Sequence, residues 1–313
     1  STMSKPLLAF FTFPVWVFFA RTIDRFGKGI RTGARDAMLS DQATPQTKGK
    51  VFGLHRSMDT LGAVLGPLIA LLYLQAFPKD YKMLFYIALI PGLFAVLASF
   101  LLKENQVTKP ASKSSESIFS FLSYWKVSSH EYRKLVSGLL IFTLFNSSDV
   151  FLLLKAKEAG CDDLFIIELY VFYNLIYAVF AFPIGILADK IGMKTLYLIG
   201  LMLFTTTYIG ISLTTNTFIF ILLFLLYGLY AAATEGISKA WISNITDNQN
   251  IATAIGTFTG FQSLCTMLAS SLTGMLWFKL GASTALMFSA IGVIFVVVYL
   301  LIVVKPLKIK QND

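Results

Sequence analysis

Seven charged residues, Arg21, Asp24, Arg25, Lys28, Arg31, Arg35 and Asp36, crowd into RTIDRFGKGIRTGARDAMLSD, residues 21–41, behind a long apolar run. Cations in such a setting can hold an anion: Arg offers a planar fork to carboxylate or phosphate, and Lys a point charge. Wound at about 100° per residue, the charged side chains fall within an arc of roughly 140°. Ile23, Phe26, Ile30, Ala34 and Ala37 fill the opposite side. A charge at the bilayer centre costs about 2.5–3.5 kcal/mol, so a stripe of this kind must face protein or a water-filled cavity. A helix lying in the cytosol with i,i+4 ion pairs is the plainer alternative. Counted inward from Pro14, Arg21 and Arg25 lie deepest and, with Lys28, are the candidate substrate-binding residues for an anionic group. Arg31, Arg35 and Asp36 lie nearer a rim, where binding headgroups and stitching the surface together suffices.

Acids inside apolar stretches suggest a second chemistry. A carboxylate whose pKa is raised by burial and restored by a nearby cation can carry a proton. The candidates are Asp24, Asp59, Asp149, Glu168 and Glu235. Asp149 sits in the polar cluster FNSSDVF and, with Asp59, is favoured. Glu168 is near enough to the end of its stretch to be interfacial, and Glu235 with Lys239 has the spacing of a plain i,i+4 ion pair.

The elements that position these groups are membrane spans. The chain is 56% hydrophobic and 14% charged, with a mean hydropathy of +0.71, outside the range of soluble domains. A span needs about 20 apolar residues. Residues 1–10 read as the tail of one span, and further spans are predicted over 14–40, 51–76, 83–102, 135–154, 164–187, 195–213, 217–241, 251–278 and 282–304. The Ser- and Lys-rich stretch 103–134 reads as a cytoplasmic linker, within which IFSFLSYWKV suits a helix in the membrane interface. Lys48, Lys50, the Lys and Arg residues of the linker, Lys190, Lys194 and the tail Lys305, Lys308 and Lys310 fall in one alternate set of loops. Only Lys5, Lys79, Lys82, Lys155, Lys157 and Lys279 fall in the other, which places linker and C-terminus in the cytoplasm. The net charge of +9 is thereby explained without a nucleic-acid partner.

Sliding the chain by 203 residues lays Ala37 on Ala240, Ser40 on Ser243, Gln46 on Gln249, Gly53 on Gly256 and Asp36 on Lys239. Internal repeats of this kind mark transporters. Spans 135–154 and 164–187 then lack partners, so about seventy residues are expected to precede residue 1 in a complete version with two sixfold halves.

Three motifs carry a family resemblance. Gly185-Ile-Leu-Ala-Asp189-Lys190-Ile-Gly192-Met-Lys194 resembles the glycine-to-charge loop of the major facilitator superfamily. Arg21 with Gly27 resembles its fourth-helix motif, and Gly62-Ala-Val-Leu-Gly66-Pro67 its fifth-helix motif, which is found mainly in exporters and here departs at Leu68 and Ile69. The resemblance covers essentially the whole chain, and the combined run over 24–67 is similar to a little-characterised prokaryotic subgroup. It implies an all-α polytopic membrane protein of two pseudo-symmetric six-helix bundles, the N-terminal one incomplete at about nine spans plus a fragment. The implied divisions are 1–102, a partial N-terminal bundle; 103–134, the linker; 135–304, the C-terminal bundle; and 305–313, a tail. Asp189 is implied to hold an inward gate shut against a helix N-terminus. Gly62, Gly66 and Pro67 are implied to pack and bend their helix.

The function expected is secondary active transport of a small solute, anionic on the hypothesis above, by proton-coupled alternating access in a prokaryotic plasma membrane, with a monomer in the bilayer. An exporter of drugs or metabolites and a non-transporting receptor or scaffold are the alternatives. An enzyme is not expected. His55 and His130 are the two histidines, metal ligands do not cluster, and GKGIRTG lacks the order of a phosphate loop. No cofactor or metal is implied, and Cys161 and Cys265 read as packing residues.

Overall fold

The structure is a computed structural model that describes Trp16 and residues 32–77, 80–101 and 120–304. The described residues fold as α-helices with one 3-10 turn: α1 (residues 32–41), α2 (Lys48–Ala76), α3 (Tyr81–Ile87), α4 (Leu89–Phe100), α5 (Ser120–Val127), α6 (His130–Phe145), α7 (Val150–Glu158), α8 (Asp163–Ile191), α9 (Met193–Leu213), α10 (Thr217–Ile245), the turn Asn248–Asn250, α11 (Ile251–Leu280) and α12 (Ala282–Val303). Among the described residues, seven segments are long and apolar enough to cross a membrane, α6 and α7 counting as one. This is the all-α polytopic architecture the hydropathy calls for, because a chain in lipid must satisfy its backbone groups within each segment.

Local signals set the helix ends. Ser129 begins α6 by accepting from Tyr132 N at 3.2 Å, Asp162 begins α8 by accepting from Phe165 N at 2.7 Å, and Asn216 begins α10 through Phe218 N at 2.9 Å. Each satisfies a first-turn N–H that has no partner inside its own helix. Between α8 and α9 the chain turns at Gly192 with φ +93°, a backbone conformation that favours glycine.

Two predicted spans are not continuous. The segment expected over 135–154 starts at His130 and breaks at Asn146–Asp149, where Asn, two serines and Asp compete with the helix for backbone hydrogen bonds. The segment expected over 83–102 is α3 and α4, divided at Ala88 just ahead of Pro91, which has no N–H to give a preceding turn. The short aromatic helix expected in the linker is present as α5. Its Trp125 ring meets Phe261 of α11 at 5.7 Å and Tyr132 of α6 at 6.3 Å.

The chain divides into two compact units. The described residues of one are Trp16, 32–34, 66–77, 80–101 and Ser120, and there Tyr73 donates to Asp80 Oδ2 at 2.7 Å and Asp80 caps α3 through Met83 N at 3.2 Å. The other contains residues 35–65 and the helices from α5 onward. Its interior is aromatic: Phe142, Tyr197, Phe204, Tyr208, Phe220, Phe224, Tyr230 and Trp241 are buried. Phe142 meets Phe204 edge-on at 5.4 Å, a geometry that ring quadrupoles favour, and Phe204 lies against Tyr208 at 3.9 Å. Outward-facing Phe278, Phe295 and Ile302 are exposed, as lipid-facing residues are.

Candidate functional site

The site begins with how closely α2 lies on α8. Gly49, Gly53 and Ser57, spaced four apart, share one face of α2 and meet Gly185, Ala181 and Ala178 of α8. A Cβ on Gly49 would fall 2.5 Å from Gly185 O, and one on Gly53 2.6 Å from Ala181 O, so both positions are closed to any side chain. The Ser57 hydroxyl donates to Ala178 O. Small residues at this spacing let backbones touch. The signal was legible in GKVFGLHRS, which precedes the Gly62–Gly66 pair singled out for packing. Among the described residues, a Cβ on Gly62 or Gly66 would meet nothing within 4 Å. α2 continues through Pro67.

One end of this crossing is tied by charges set on helix ends. Asp189 accepts from Gly49 N and Lys50 N, each at 2.8 Å, and so caps the first turn of α2 from another helix. Lys48 does the converse: its Nζ donates to Ser243 O at 2.6 Å in the last turn of α10, where carbonyls lack partners. Asn244 Nδ2 donates to Pro45 O at 3.1 Å. Lys194 donates to Leu301 O at 3.2 Å and also to Val304 O, at the end of α12. Lys190 is exposed and Gly185 is buried in the crossing.

Farther along α2, Arg56 reaches between α8 and α10. Its guanidinium donates to Glu235 Oε2 at 3.0 Å, to Asp59 Oδ2 at 3.1 Å and to the Tyr177 hydroxyl, and its Cζ lies 5.5 Å from the Tyr177 ring centroid. Beside it, Asp36 is buried at 1% exposure between Arg35 at 3.0 Å and Lys239 at 2.7 Å. Glu235 and Lys239 therefore do not form the i,i+4 pair their spacing suggested. Each turns outward from α10 to a residue of the first third of the chain. A cross-helix partner wins because Arg56 and Asp36 are themselves charges in an apolar setting that need one. Arg35, Asp36, His55, Arg56, Glu235 and Lys239 line a common cavity.

A second cavity has Glu235 in its wall as well, with Thr143, Asn146, Tyr197, Ser238 and Gln262. Asn146 ends α6 at the helix break, and its Oδ1 is buried without a hydrogen bond. An acceptor left so costs about 1–3 kcal/mol. On the far side of the break, Asp149 accepts from the Tyr173 hydroxyl and from Ser148 Oγ at 3.3 Å, while Ser148 N donates to Ser270 Oγ at 3.3 Å.

Of the acids named from sequence, the structure thus brings Asp59 and Glu235 together on Arg56 and sets Asp149 apart at the helix break. Glu168 is exposed in the second turn of α8 and makes no ion pair among the described residues. Arg21, Asp24, Arg25 and Lys28 lie outside the described residues. Arg56 was the residue missed as a binding candidate. Its signal was a lone cation, three residues from an acid, in an otherwise apolar span.

The model of the Major Facilitator Superfamily matches residues 3–167 and 135–313. An uncharacterized MFS-type transporter of Methanocaldococcus jannaschii is 34% identical over 262 residues, which is 82% of this chain and 64% of that protein. An uncharacterized protein of Mycobacterium tuberculosis is 33% identical over 99 residues, 31% of this chain and 24% of its own length. The chain thus spans less than two thirds of either relative. Two solved structures share the fold. The human organic anion transporter MFSD10 superposes with a TM-score of 0.76 at 17% identity, covering 96% of this chain and 74% of that one. The transporter FucP in its outward conformation superposes at 0.74 and 11% identity, covering 95% and 79%. With a family model spanning the chain and seven apolar helices among the described residues, this multi-pass membrane protein belongs to the Major Facilitator Superfamily.

Proposed function

We propose that the protein moves a small solute bearing an anionic group across a prokaryotic plasma membrane by alternating access, coupled to protons. The observation that carries this reading is the Arg56–Glu235–Tyr177 cluster, a cation and an acid held among apolar helices beside a cavity. Charged groups in such a place mark solute and ion paths. Arg21, Arg25 and Lys28 supply further positive charge in this proposal, and Arg56 joins them. Proton linkage is assigned to Asp149 and Asp59, with Asp24, Glu168 and Glu235 as the remaining candidates.

In this proposal the ties at the Asp189 end form the inward gate, with linker and C-terminus in the cytoplasm. A gate must open as readily as it closes. Hydrogen bonds from a carboxylate to helix N–H groups suit this, because water can take over both partners when they separate. Rigid-body rocking of two halves, divided at the linker 103–134, supplies the motion.

The test is solute-driven proton movement in vesicles holding the purified protein, with organic anions, phosphorylated metabolites and lipophilic cations offered in turn. Acidification or alkalinisation on adding an anion is the expected result. Uptake indifferent to an imposed pH gradient would remove proton coupling, and failure to move any solute would remove transport.

A further inference from the structure

We infer that His55 is a further proton-binding residue of the transport cycle, and that its protonation releases the Asp36–Lys239 ion pair by which α1 holds α10. This rests on the transport reading and adds to it a group outside the acids of the spans.

His55 is half-buried on α2 and shares a cavity wall with Arg35, Asp36, Arg56, Glu235 and Lys239. The cavity has room for about one water molecule, enough to deliver a proton. Among the described residues no hydrogen bond or ion pair holds the imidazole. The charged groups around it come from three helices: Arg35 and Asp36 from α1, Arg56 and Asp59 from α2, and Glu235 and Lys239 from α10. From α8 comes Tyr177, whose hydroxyl is hydrogen-bonded to Arg56. On the far side, α2 lies close on α10, where a Cβ on Gly236 would fall 3.3 Å from Phe52 O.

The set holds three cations and three carboxylates, and every carboxylate is engaged. Asp36 has Lys239 at 2.7 Å and Arg35 at 3.0 Å, while Glu235 and Asp59 share Arg56. The balance is complete only while His55 is neutral. Histidine is also the side chain whose ordinary pKa, about 6.5, lies in the physiological range. A proton on it makes a fourth cation with no acid left over. Asp59 is exposed and screened by water, so the buried Asp36 is the stronger attraction, and Lys239 and Arg35 are repelled. An unbalanced cation in a closed cavity is costly, and water entering between the helices relieves it. Acid therefore favours the form in which α1 and α10 have parted.

The experiment uses the purified protein in detergent, with Cys161 and Cys265 replaced by serine and spin labels on Gln42→Cys and Gln249→Cys. Both positions are exposed, one just beyond α1 and the other just beyond α10. Pulsed electron resonance reads the distance between them from pH 8 to pH 5. With His55 in place a longer distance should gain at acid pH, the open-to-closed ratio rising by at most about tenfold per pH unit, the limit for a single proton. His55→Gln should keep the short distance throughout. In a separate arm, His130→Gln leaves one imidazole, whose magnetic resonance shift should pass from neutral to protonated over the same range. If His55→Gln fails to fold and its distances are broad at every pH, this titration decides. A pH response that survives His55→Gln, no response with His55 present, or an imidazole shift fixed from pH 8 to pH 5 overturns the inference. Solute-driven proton movement that keeps its pH profile in His55→Gln vesicles leaves transport standing while this assignment falls.

Discussion

Asp36 and Lys239 meet at 2.7 Å across 203 residues of chain, the same offset on which the two halves of the sequence align. Arg35 adds a second cation to Asp36 at 3.0 Å, so the carboxylate is buried with two counter-charges.

That arrangement sets a graded outcome for substitution. Removing Lys239 leaves Arg35 on Asp36, whereas Asp36→Asn leaves two cations facing a neutral group. Asp36→Asn should therefore destabilise more than Lys239→Gln, and the double mutant should show a coupling of about 0.5–3 kcal/mol. Thermal unfolding of the detergent-solubilised protein measures the cycle. Equal losses for the two single variants would show that Arg35 takes no share.

The contact of α2 with α8 leaves no volume for a methyl group. Gly53→Ala puts its Cβ against Ala181 O, a backbone atom that cannot swing aside. The expected loss is about 1–3 kcal/mol, with Gly49→Ala at least as severe because Gly185 O and Asp189 both crowd it. Gly62→Ala should be near neutral by the same measurement, since no described atom lies within reach.

Asp189 holds two N–H groups of α2. Asp189→Ala removes both acceptors, and Asp189→Asn retains one oxygen without the charge. A cysteine placed on the inner face of α2 should label faster from the Asp189 side in Asp189→Ala than in wild type, with Asp189→Asn between them. Labelling unchanged in both variants would show that these bonds do not hold that end closed.

Lys194 sits on the last carbonyls of α12 and contributes through the helix dipole, about 0.3–1 kcal/mol. Lys194→Gln should lower the unfolding temperature slightly, while leaving the labelling pattern of the Asp189 variants untouched. A change in that pattern would tie α12 to the gate.

In the proposed mechanism Asp149, held by the Tyr173 hydroxyl at the helix break, is the favoured proton carrier. Asp149→Asn should abolish solute-driven proton movement yet leave solute exchange without a gradient, and Tyr173→Phe should give a smaller loss because Ser148 still donates. Vesicle measurements of proton flux and counterflow separate the two. Glu168→Gln should change neither.

Much of this is legible in the sequence. Hydropathy marked the spans because lipid permits little else. The turn at Gly192 and the caps at Ser129, Asp162 and Asn216 follow from residue types whose local bonding is nearly context-free. Yet the period of a helix says which residues share a face and not what that face will meet. For this reason spacing alone pairs Glu235 with Lys239, four residues away, whereas folding offers it Arg56 from 179 residues away. The small ladder Gly49, Gly53, Ser57 acquired its meaning only once Ala178, Ala181 and Gly185 were laid against it. The break at Asn146–Asp149 was disguised by apolar sequence on either side. The sequence alone determined that charges would be carried into the membrane. Tertiary packing decided which of them would meet, because in a low-dielectric interior a charge takes the best partner that any helix can bring.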